Sequence, residues 1–347
     1  MIHLIIKTIT AVILFSVLAP AGADHTVRIR TMSQNLYIGA DLERLLAGEP
    51  PAAVLATVQQ TNFPARAVEI ARAIDAFRPD LIGLQEVSLI TLFDTNGNVL
   101  LELDYLAILL DALAARGEHY TVASTINNAD VTLPIDPAAG TFGRLLDRDV
   151  ILARNRTTTT SNAVSANYTD NLVVDFGGFP LEFTRGYTAV DANVKGKDVR
   201  FVNTHLEVED LPCVTSSGLQ ICQDLQSAEL IKVIDDEKLP VVLVGDFNAE
   251  PGTTAYQTVA DAGYIDTWTI RYPYNNEPGY TCCQAEDLTG PNQLSVRIDH
   301  IFVKDSDDFP IFSAITTVVG DWERRRTPDG LWYSDHGGPW AKLKTRR

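Results

Sequence analysis

Apolar runs alternate with helical patterns along this chain, and the longest aliphatic run marks its most informative segment. Val241–Val244 is aliphatic at four consecutive positions, which predicts a strand buried on both faces. Gly245 then permits a turn, and Asp246 and Asn248 follow at the end of the strand. Open α/β sheets place their chemistry just beyond strand ends, but Gly, Asp and Asn are also common in ordinary turns. This segment alone favours neither interpretation.

Other strands are predicted from period-two alternation or from short buried runs. Val27–Ser33 alternates like a half-buried strand, and Leu81–Val87 is a buried run with Glu86 near its end. Tyr187–Val194 and Val199–Asn203 flank a short Lys-Gly-Lys-Asp segment, which indicates a hairpin. The remaining predictions are strands at Tyr120–Ser124, Asp149–Arg154 and Arg297–Val303, a Pro-, Gly- and Asn-rich loop between the first two, and a loop or edge hairpin at Asn171–Phe183.

Helical spacing of apolar residues recurs between these strands. Apolar residues from Phe63 to Phe77 share one face of a predicted helix, with Asn62 as a candidate N-cap. Further helices are predicted at Leu103–Ala115, Leu219–Glu237 and Thr253–Ala262. Alternation of strands and helices predicts an α/β sandwich. Because the sequence shows no linker and no internal repeat, we expect one domain over residues 24–347.

The first 23 residues have the composition of a secretory signal peptide. Lys7 supplies a basic start, Ile9–Ala19 is apolar, and Ala21–Ala23 offers small residues for cleavage. The apolar run is too short for a stable membrane anchor, so we expect a mature chain that begins near Asp24 and is secreted or periplasmic.

The chain is acidic, with a formal net charge of −17. This charge counts against tight nucleic-acid binding, although bound cations can invert the local field at a site. We expect a monomer that forms no stable complex with nucleic acid.

All four cysteines lie in the second half of the sequence. An even count in an exported protein suggests two disulfides, for which three pairings are open. Because Cys282 and Cys283 are adjacent, we expect each of them to bond to one of Cys213 and Cys222, with a Cys213–Cys222 ring as the alternative. A structural zinc site is not indicated, since no histidine stands at ligand spacing.

Carboxylates, carboxamides and histidines stand at the ends of the predicted strands. Each has an ordinary alternative, such as a helix cap, a turn, a surface carboxylate or a structural histidine. Together they indicate a single cleft, because carboxylate and amide oxygens suit Mg²⁺ or Mn²⁺ and histidines transfer protons. The set consists of Asn35, Glu86, His205, Asp246, Asn248, Asp299, Asp335 and His336.

Five short motifs in this order resemble the endonuclease/exonuclease/phosphatase superfamily, which includes DNase I and the neutral sphingomyelinases. They are QE at 85–86, TH at 204–205, GDFN at 245–248, IDH at 298–300 and SDH at 334–336. The resemblance extends from Val27 to Leu343. It implies a four-layer α/β sandwich of DNase I-like type, in which two mixed β-sheets pack face to face and helices flank them.

The resemblance also implies metal-dependent hydrolysis of a phosphoester. In this interpretation His336 is the general base that activates water, and Asp299 orients it. Glu86 is the main ligand of Mg²⁺ or Mn²⁺, Asn35 helps to hold the metal, and Asp335 lies beside the metal or its water. The metal neutralises charge while the base aligns the nucleophile.

The remaining members of the set contact the substrate in this interpretation. Asp246 and Asn248 position the nucleophile and the scissile phosphate, and His205 contacts a phosphoryl oxygen. A histidine at position 205 is similar to DNase-like and sphingomyelinase-like members, whereas apurinic endonucleases have a tyrosine there. His300 is expected to be structural, since it should point away from Asp299.

Two regions stay outside the predicted catalytic set. Leu145–Asp149 departs from the family pattern, so its carboxylates are left out. Arg148 and Arg185 have two open interpretations, contact with phosphate or surface salt bridges.

The segment Gly320–Tyr333 bears on the substrate. It is predicted to be a hairpin that turns at residues 328–330, and it concentrates three arginines with Trp322, Trp332 and Tyr333. Such a combination suits a phospholipid surface, but it is equally typical of a solvated charge cluster over buried aromatics. We therefore expect a secreted phosphodiesterase that acts on a phospholipid head group such as that of sphingomyelin. The alternatives are a DNase-like endonuclease, a monoester phosphatase and a non-catalytic binding module with the same fold.

Overall fold

The computed structural model of the protein describes residues 26–176, 178–274, 277–304 and 310–346. The predicted signal peptide, residues 1–23, lies outside the described residues. The strands are β1 Thr26–Asn35, β2 Leu81–Gln85, β3 Leu89–Asp94, β4 Val99–Asp104, β5 Tyr120–Asp136, β6 Thr141–Arg154, β7 Thr158–Asn167, β8 Leu172–Phe176, β9 Phe179–Phe183, β10 Gly186–Val194, β11 Lys197–His205, β12 Pro212–Thr215, β13 Gly218–Ile221, β14 Val241–Asp246, β15 Tyr264–Asp266, β16 Asp299–Lys304, β17 Ile311–Val319 and β18 Gly338–Arg346. The helices are α1 Glu43–Leu46, α2 Pro51–Gln60, α3 Phe63–Phe77, α4 Tyr105–Ala114, α5 Cys222–Ile234, α6 Thr254–Asp261 and α7 Thr267–Arg271, with a 3₁₀ turn at Glu323–Arg325.

Two large mixed β-sheets form the inner layers. The first has the strand order β17-β18-β1-β2-β6-β3-β4, and β5 pairs with β6 outside this path. The second has the order β15-β16-β14-β11-β10-β7. The pairs β1–β2 and β11–β14 are parallel, which places the ends of these strands together at one edge of each sheet. The predicted hairpin is confirmed, because β10 pairs with β11 in antiparallel register around residues 195–196.

The apolar faces of the two sheets meet in a shared core. Ile29 and Ile151 of the first sheet pack with Phe201 and Val244 of the second. Helices α3 and α4 cover the outer face of the first sheet, and α5 and α6 cover that of the second. Asn62 caps α3 as predicted, since its side chain accepts a hydrogen bond from the amide of Ala65. The predicted four-layer sandwich is therefore confirmed.

The two sheets are also joined by polar contacts next to the ends of β2 and β11. The side-chain amide of Gln85 donates to Asn203 Oδ1 at 2.6 Å, and Asn203 Nδ2 donates to the carbonyl of Leu84 at 3.0 Å. Gly83 makes this approach feasible, because a Cβ at that position would lie 2.4 Å from Asn203 Oδ1. The amides fix the relative position of the two sheets where the candidate site lies.

The prediction of a loop between residues 124 and 149 was wrong. Strands β5 and β6 run through it as a long antiparallel ribbon with register shifts near Asn127 and Pro134. Because β5 pairs only with β6, an edge position tolerates the missing amide of Pro134 and the irregular residues. The alternation of Val131, Leu133 and Ile135 with more exposed neighbours is the strand signal that the turn residues masked.

The disulfide pairing expected from the sequence was also wrong. Cys213 bonds to Cys222 and closes the β12–β13 hairpin, which is the alternative that the sequence left open. Cys282 bonds to its neighbour Cys283, which the sequence reasoning rejected. The residues before Cys222 belong to β13, so the helix predicted to begin at Leu219 starts only at α5.

Residues 320–333 do not form the predicted hairpin. They contain the 3₁₀ turn and a tight turn in which the amide of Thr327 donates to the carbonyl of Leu331. Trp332 and Tyr333 are buried, and the guanidinium of Arg326 lies 4.2 Å from the ring centre of Trp332. Among the aromatic residues of this segment only Trp322 is exposed, at 41%. Over the part of the chain that the structure describes, no helix combines the length and the apolar character needed to span a membrane.

Candidate active site

Strand register brings the predicted residues together at one edge of the sandwich. In the second sheet His205 pairs with Asp246, and Asp246 pairs with Asp299, so three adjacent strands present these side chains side by side. In the first sheet Asn35 pairs with Gln85, the residue before Glu86. The amide of Asn35 crosses to the second sheet and donates to Asp246 Oδ2 at 3.0 Å. The two sheets thus share one cleft.

His336 and Asp299 form a hydrogen-bonded pair in this cleft. Nδ1 of His336 lies 2.8 Å from Asp299 Oδ2, and the ring is 7% exposed. Its Nε2 faces Cys282 Sγ at 3.5 Å and Asp335 Oδ1 at 4.0 Å. Burial alone would lower the pKa of His336, but Asp299, Asp335 and Asp246 raise it well above its ordinary value. The pair has the geometry of a base held by a carboxylate.

Glu86 is held by the end of β1. Its Oε1 accepts a hydrogen bond from Asn35 Nδ2 at 2.9 Å, and its Oε2 accepts from the amide of Ile38 at 2.7 Å. Asn35 Oδ1 accepts from the amide of Tyr37, so Asn35 presents its nitrogen rather than its oxygen to the carboxylates. Asn35 therefore positions Glu86 and Asp246 in this arrangement.

Asp246 and Asn248 form a tight turn after β14. The amide of Asn248 donates to Asp246 Oδ1 at 2.9 Å, and Asn248 Nδ2 donates to the carbonyl of Leu206 at 2.9 Å. Burial and the neighbouring Asp299 raise the pKa of Asp246 to about 6. Within the described part of the chain, the second hydrogen of the Asn248 side-chain amide has no acceptor.

His205 lies between a guanidinium and two carboxylates. Arg185 Nη1 is 3.1 Å from His205 Nδ1 and 3.2 Å from Nε2, while Asp246 lies at 3.8 Å and Asp149 at 3.9 Å. Burial, the charge of Arg185 and that of His336 lower the pKa of His205 well below its ordinary value. This shift favours the neutral imidazole, which has one ring N–H to donate.

The cleft, which Glu86, Asn248, Asp335 and His336 line, encloses about 530 Å³, within the range typical of ligand sites. Its charge is unbalanced, because seven lining residues carry carboxylates and Arg185 carries the only lining guanidinium or ammonium group among the described residues. Burial, with a contribution from Glu86, raises the pKa of Asp335 to about 7, against the opposing charge of His336.

The residues present fit a divalent cation. Glu86 and Asp335 both line the cleft, and beside them Asp246, Asp299 and His336 place one ligand atom each within 4.8 Å of one another. Asp299 Oδ1 is buried and has no hydrogen-bond partner among the described residues, which is costly for a carboxylate unless a cation or water satisfies it. The carboxylate oxygens in this cleft are hard donors, which suit Mg²⁺ or Mn²⁺.

Comparison with known proteins decides the family. The model of the Endonuclease/Exonuclease/phosphatase family matches residues 39–336, most of the chain. The chain belongs to this family. It is accordingly a phosphoester hydrolase, as the sequence predicted.

Individual family members are distant from this chain. A putative neutral sphingomyelinase of Drosophila melanogaster is 28% identical over 156 residues, 44% of this chain and 34% of that protein. That match spans about a third of the fly protein's length. Two solved structures superpose with TM-scores of 0.53 and 0.55 at 17% and 15% identity, and each comparison covers 91% of this chain and 99% of the other. They are the mannosyl-6-phosphatase of Bacteroides thetaiotaomicron and an endonuclease/exonuclease/phosphatase family protein of Leptotrichia buccalis, and they confirm the fold.

Sequence reasoning missed a second group of buried charges in this phosphoester hydrolase. Asp147 and Asp149 lie beside His205, and Asn128 Nδ2 donates to Asp149 Oδ2 at 2.8 Å. Burial, followed by the charge of Glu86, raises the pKa of Asp147 to about 7. The sequence signal was available, because two carboxylates separated by one residue of a strand lie on one face.

The two arginines whose roles the sequence left open make different contacts. Arg148 is structural, since it donates to the carbonyl of Val87 and to Asp104, the N-cap of α4. Arg185 lines the cleft and forms an ion pair with Glu207 at 3.3 Å. In the β10–β11 hairpin Gly186 pairs with His205. Arg185, the residue before Gly186, therefore lies near the site.

His300 lies apart from the cleft, as expected. Its Nε2 is 2.8 Å from the carbonyl oxygen of Ala249, and its Nδ1 faces Arg297 at 3.1 Å and Asp266 at 3.5 Å. The ring is buried in this separate polar cluster. All eight residues of the predicted set, by contrast, come together around the cleft, and Asn35, which was expected to help to hold the metal, donates its side-chain amide to Glu86 and Asp246.

Proposed function

We propose that this protein is an exported, Mg²⁺-dependent phosphodiesterase that cleaves P–O bonds by direct attack of water. The observation that supports it most is the His336–Asp299 pair, at 2.8 Å, which lies beside Asp246 at the acidic cleft that Glu86 also lines. A binding module would have no need of a base held by a buried carboxylate.

The residues of the chain take separate roles in this proposal. His336 accepts the proton of the attacking water at Nε2, while Asp299 holds the ring through Nδ1. Asp246 orients the water. The free hydrogen of the Asn248 amide and the single N–H of His205 donate to phosphoryl oxygens as negative charge develops there. Arg185, next to His205, adds the positive charge that this end of the cleft otherwise lacks.

Glu86 and Asp335 are the residues that would hold the cation, with Asn35 fixing Glu86 by its hydrogen bond. When bound, Mg²⁺ or Mn²⁺ supplies charge neutralisation to the cleft and to the scissile phosphate, and opposes the carboxylates that keep His336 protonated.

For the substrate we propose the head group of a phospholipid, such as that of sphingomyelin, rather than DNA. Two observations support this choice. The chain is strongly acidic and its cleft carries seven carboxylate-bearing lining residues, which repel a polyanion. The Drosophila relative is named a putative neutral sphingomyelinase.

A substrate panel with His336→Gln tests the function. The purified chain is assayed on bis(p-nitrophenyl) phosphate, on a short-chain sphingomyelin and on duplex DNA, each with Mg²⁺, with Mn²⁺ and with EDTA. Loss of a general base typically costs about 10²–10⁴-fold in rate, so we expect at least a hundredfold loss in His336→Gln and no activity in EDTA. His300→Gln is the matched control, because it changes a buried histidine outside the cleft.

Three results would contradict parts of the proposal. Wild-type turnover in His336→Gln would show that another group is the base. Faster hydrolysis of DNA than of sphingomyelin would transfer the assignment to a nuclease. No metal-dependent hydrolysis of any of these substrates would favour the binding module.

A further inference from the structure

A second cavity adjoins the acidic cleft, and its lining is apolar. It encloses about 90 Å³ between the segment carrying α1 and α2 on one side and the β5–β6 ribbon and β9 on the other. Apart from Gly143 and Arg144, its lining residues are aliphatic, aromatic or proline. Arg144 directs its guanidinium to Asp130 on the neighbouring strand. A groove with this lining offers water almost no hydrogen-bond partner and favours an apolar ligand. We name it the apolar groove.

The β5 side of the groove consists of a regular row of side chains. Val131, Leu133 and Ile135 lie on one face of β5 and are partly exposed, while residues 132, 134 and 136 between them point to solvent. Leu181 of β9 adds to this wall, and Val54 of α2 faces it. A partly exposed row of large aliphatic side chains loses stabilisation that a bound apolar group would restore.

The groove and the acidic cleft are continuous. Ile38, Leu42, Leu145 and Phe183 line both. The amide of Ile38 also donates to Glu86 Oε2 at 2.7 Å, so the mouth of the groove lies directly against a proposed metal ligand. A molecule with a phosphate in the cleft could therefore extend an attached chain into the groove without crossing solvent.

From this juxtaposition we infer that the apolar groove binds the hydrocarbon chain of an amphiphilic phosphoester while its phosphate occupies the cleft at Glu86 and His336. The inference rests on the proposed phosphodiesterase function and assigns the specificity to the groove. The occupant follows from the two linings together, because an acidic, cation-binding cleft selects the phosphate and an adjoining apolar wall selects a hydrocarbon. A nucleic acid offers no such chain, since its bases and sugars are polar.

The experiment measures how hydrolysis depends on chain length. The substrates are p-nitrophenyl alkyl phosphodiesters from ethyl to octyl, all with the same leaving group and all below their critical micelle concentration. Burying one methylene is worth about 0.8 kcal/mol, which corresponds to about fourfold in binding. We expect kcat/KM to rise by about this factor per methylene until the groove is filled.

Two groove variants act in different ways and have a matched control. Leu133→Ser removes part of the apolar wall, and Val131→Trp fills the groove with an apolar side chain. Both should lower the ratio of octyl to ethyl kcat/KM at least tenfold and leave the ethyl value unchanged. Val122→Ser is the control, because Val122 lies on the same strand, is 37% exposed and does not line the groove.

The outcomes separate this inference from the proposed function. If the ethyl diester is hydrolysed and the wild-type rate is independent of chain length, the groove does not bind the chain, and the phosphodiesterase stands. An octyl preference that survives in Val131→Trp and Leu133→Ser would place the chain elsewhere and overturn the inference too. If no diester of the series is hydrolysed, the proposed function fails, and the inference fails with it.

Discussion

Arg66 joins the two loops that carry the proposed catalytic groups. Its side chain is fully buried and donates to the backbone carbonyls of Leu36 at 2.6 Å, Tyr37 at 3.0 Å and Tyr333 at 3.0 Å. A fourth hydrogen bond, to the carbonyl of Thr61, measures 2.8 Å. The first two carbonyls follow Asn35 in the chain, and the third precedes Asp335 and His336. One guanidinium therefore holds both sides of the cleft in register.

The cost of removing this guanidinium can be worked out from its contacts. Hydrogen bonds to a charged group contribute about 1.5–3 kcal/mol each, and burial of the charge offsets part of that sum by several kcal/mol. Arg66→Met retains the volume of the aliphatic stem but leaves four buried carbonyls without a donor. We expect it to lower the free energy of unfolding by about 3–5 kcal/mol and to lower kcat in the remaining folded protein.

Urea unfolding and steady-state kinetics of Arg66→Met, each beside Arg154→Met, provide the test. Arg154 is a matched control because it is 7% exposed, forms a bidentate pair with Glu118 and lies next to Asp80, at the end of β2 remote from Glu86. Both variants should lose stability, but only Arg66→Met should lose kcat. A stability loss below about 1 kcal/mol, or equal kcat in the two variants, would refute the reasoning.

Three further predictions concern single interactions. Burial would raise the pKa of Asp266, but its hydrogen bond with His300 and the charges of His300 and Arg297 hold it at about 2. This pKa lies below the usual value of about 3.9 in unfolded chains, so ionised Asp266 should stabilise the fold by about 2 kcal/mol above pH 4. The stabilisation is lost as the pH falls towards 2. The difference in unfolding free energy between wild type and Asp266→Asn should therefore shrink between pH 5 and pH 2.5, and a constant difference would contradict it. Asp299→Asn removes a charged hydrogen bond to His336 worth about 1.5–3 kcal/mol, so kcat should fall about 10–100-fold. The limb of the pH–rate profile that reports deprotonation of His336 should move to lower pH. Unchanged kcat would exclude the pair from catalysis. Trp322→Ala should weaken sedimentation with phosphatidylcholine vesicles, and unchanged binding would remove residues 320–333 as the proposed membrane contact.

Local sequence patterns predicted the elements that form the centre of the fold. The aliphatic run before Asp246 is a fully buried strand, since both its faces are covered, one by the opposite sheet and one by helices. The helix that starts after Asn62 begins and ends where its cap and its apolar spacing indicated. In these segments, propensity, periodicity and tertiary packing agree, so local information was sufficient.

Prediction failed where a long-range pairing overrode local turn residues. Pro134 and the neighbouring asparagines suggested a loop, yet pairing with β6 keeps β5 extended through three register shifts. The prediction of the disulfide pairing failed for a related reason. Pairing of β12 with β13 brings Cys213 opposite Gln220 and close to Cys222, whereas Cys282 is held elsewhere against His336. The spacing of cysteines along the sequence does not give the distances between them in the fold, because those distances depend on contacts made by the whole chain.

The same distinction explains which part of the candidate site was predictable. Residue types at strand ends indicated the members of the site, and the tight turn of the β10–β11 hairpin fixed Gly186 opposite His205, so Arg185 had to lie nearby. Its ionic partner was not fixed in this way, since Glu207 belongs to the loop after β11. Burial lowers the pKa of His205 most and the charge of Arg185 lowers it further, while Glu207 holds the guanidinium of Arg185 next to the ring. A neutral donor at this position is therefore a property of the assembled fold, and the motif around His205 could not predict it.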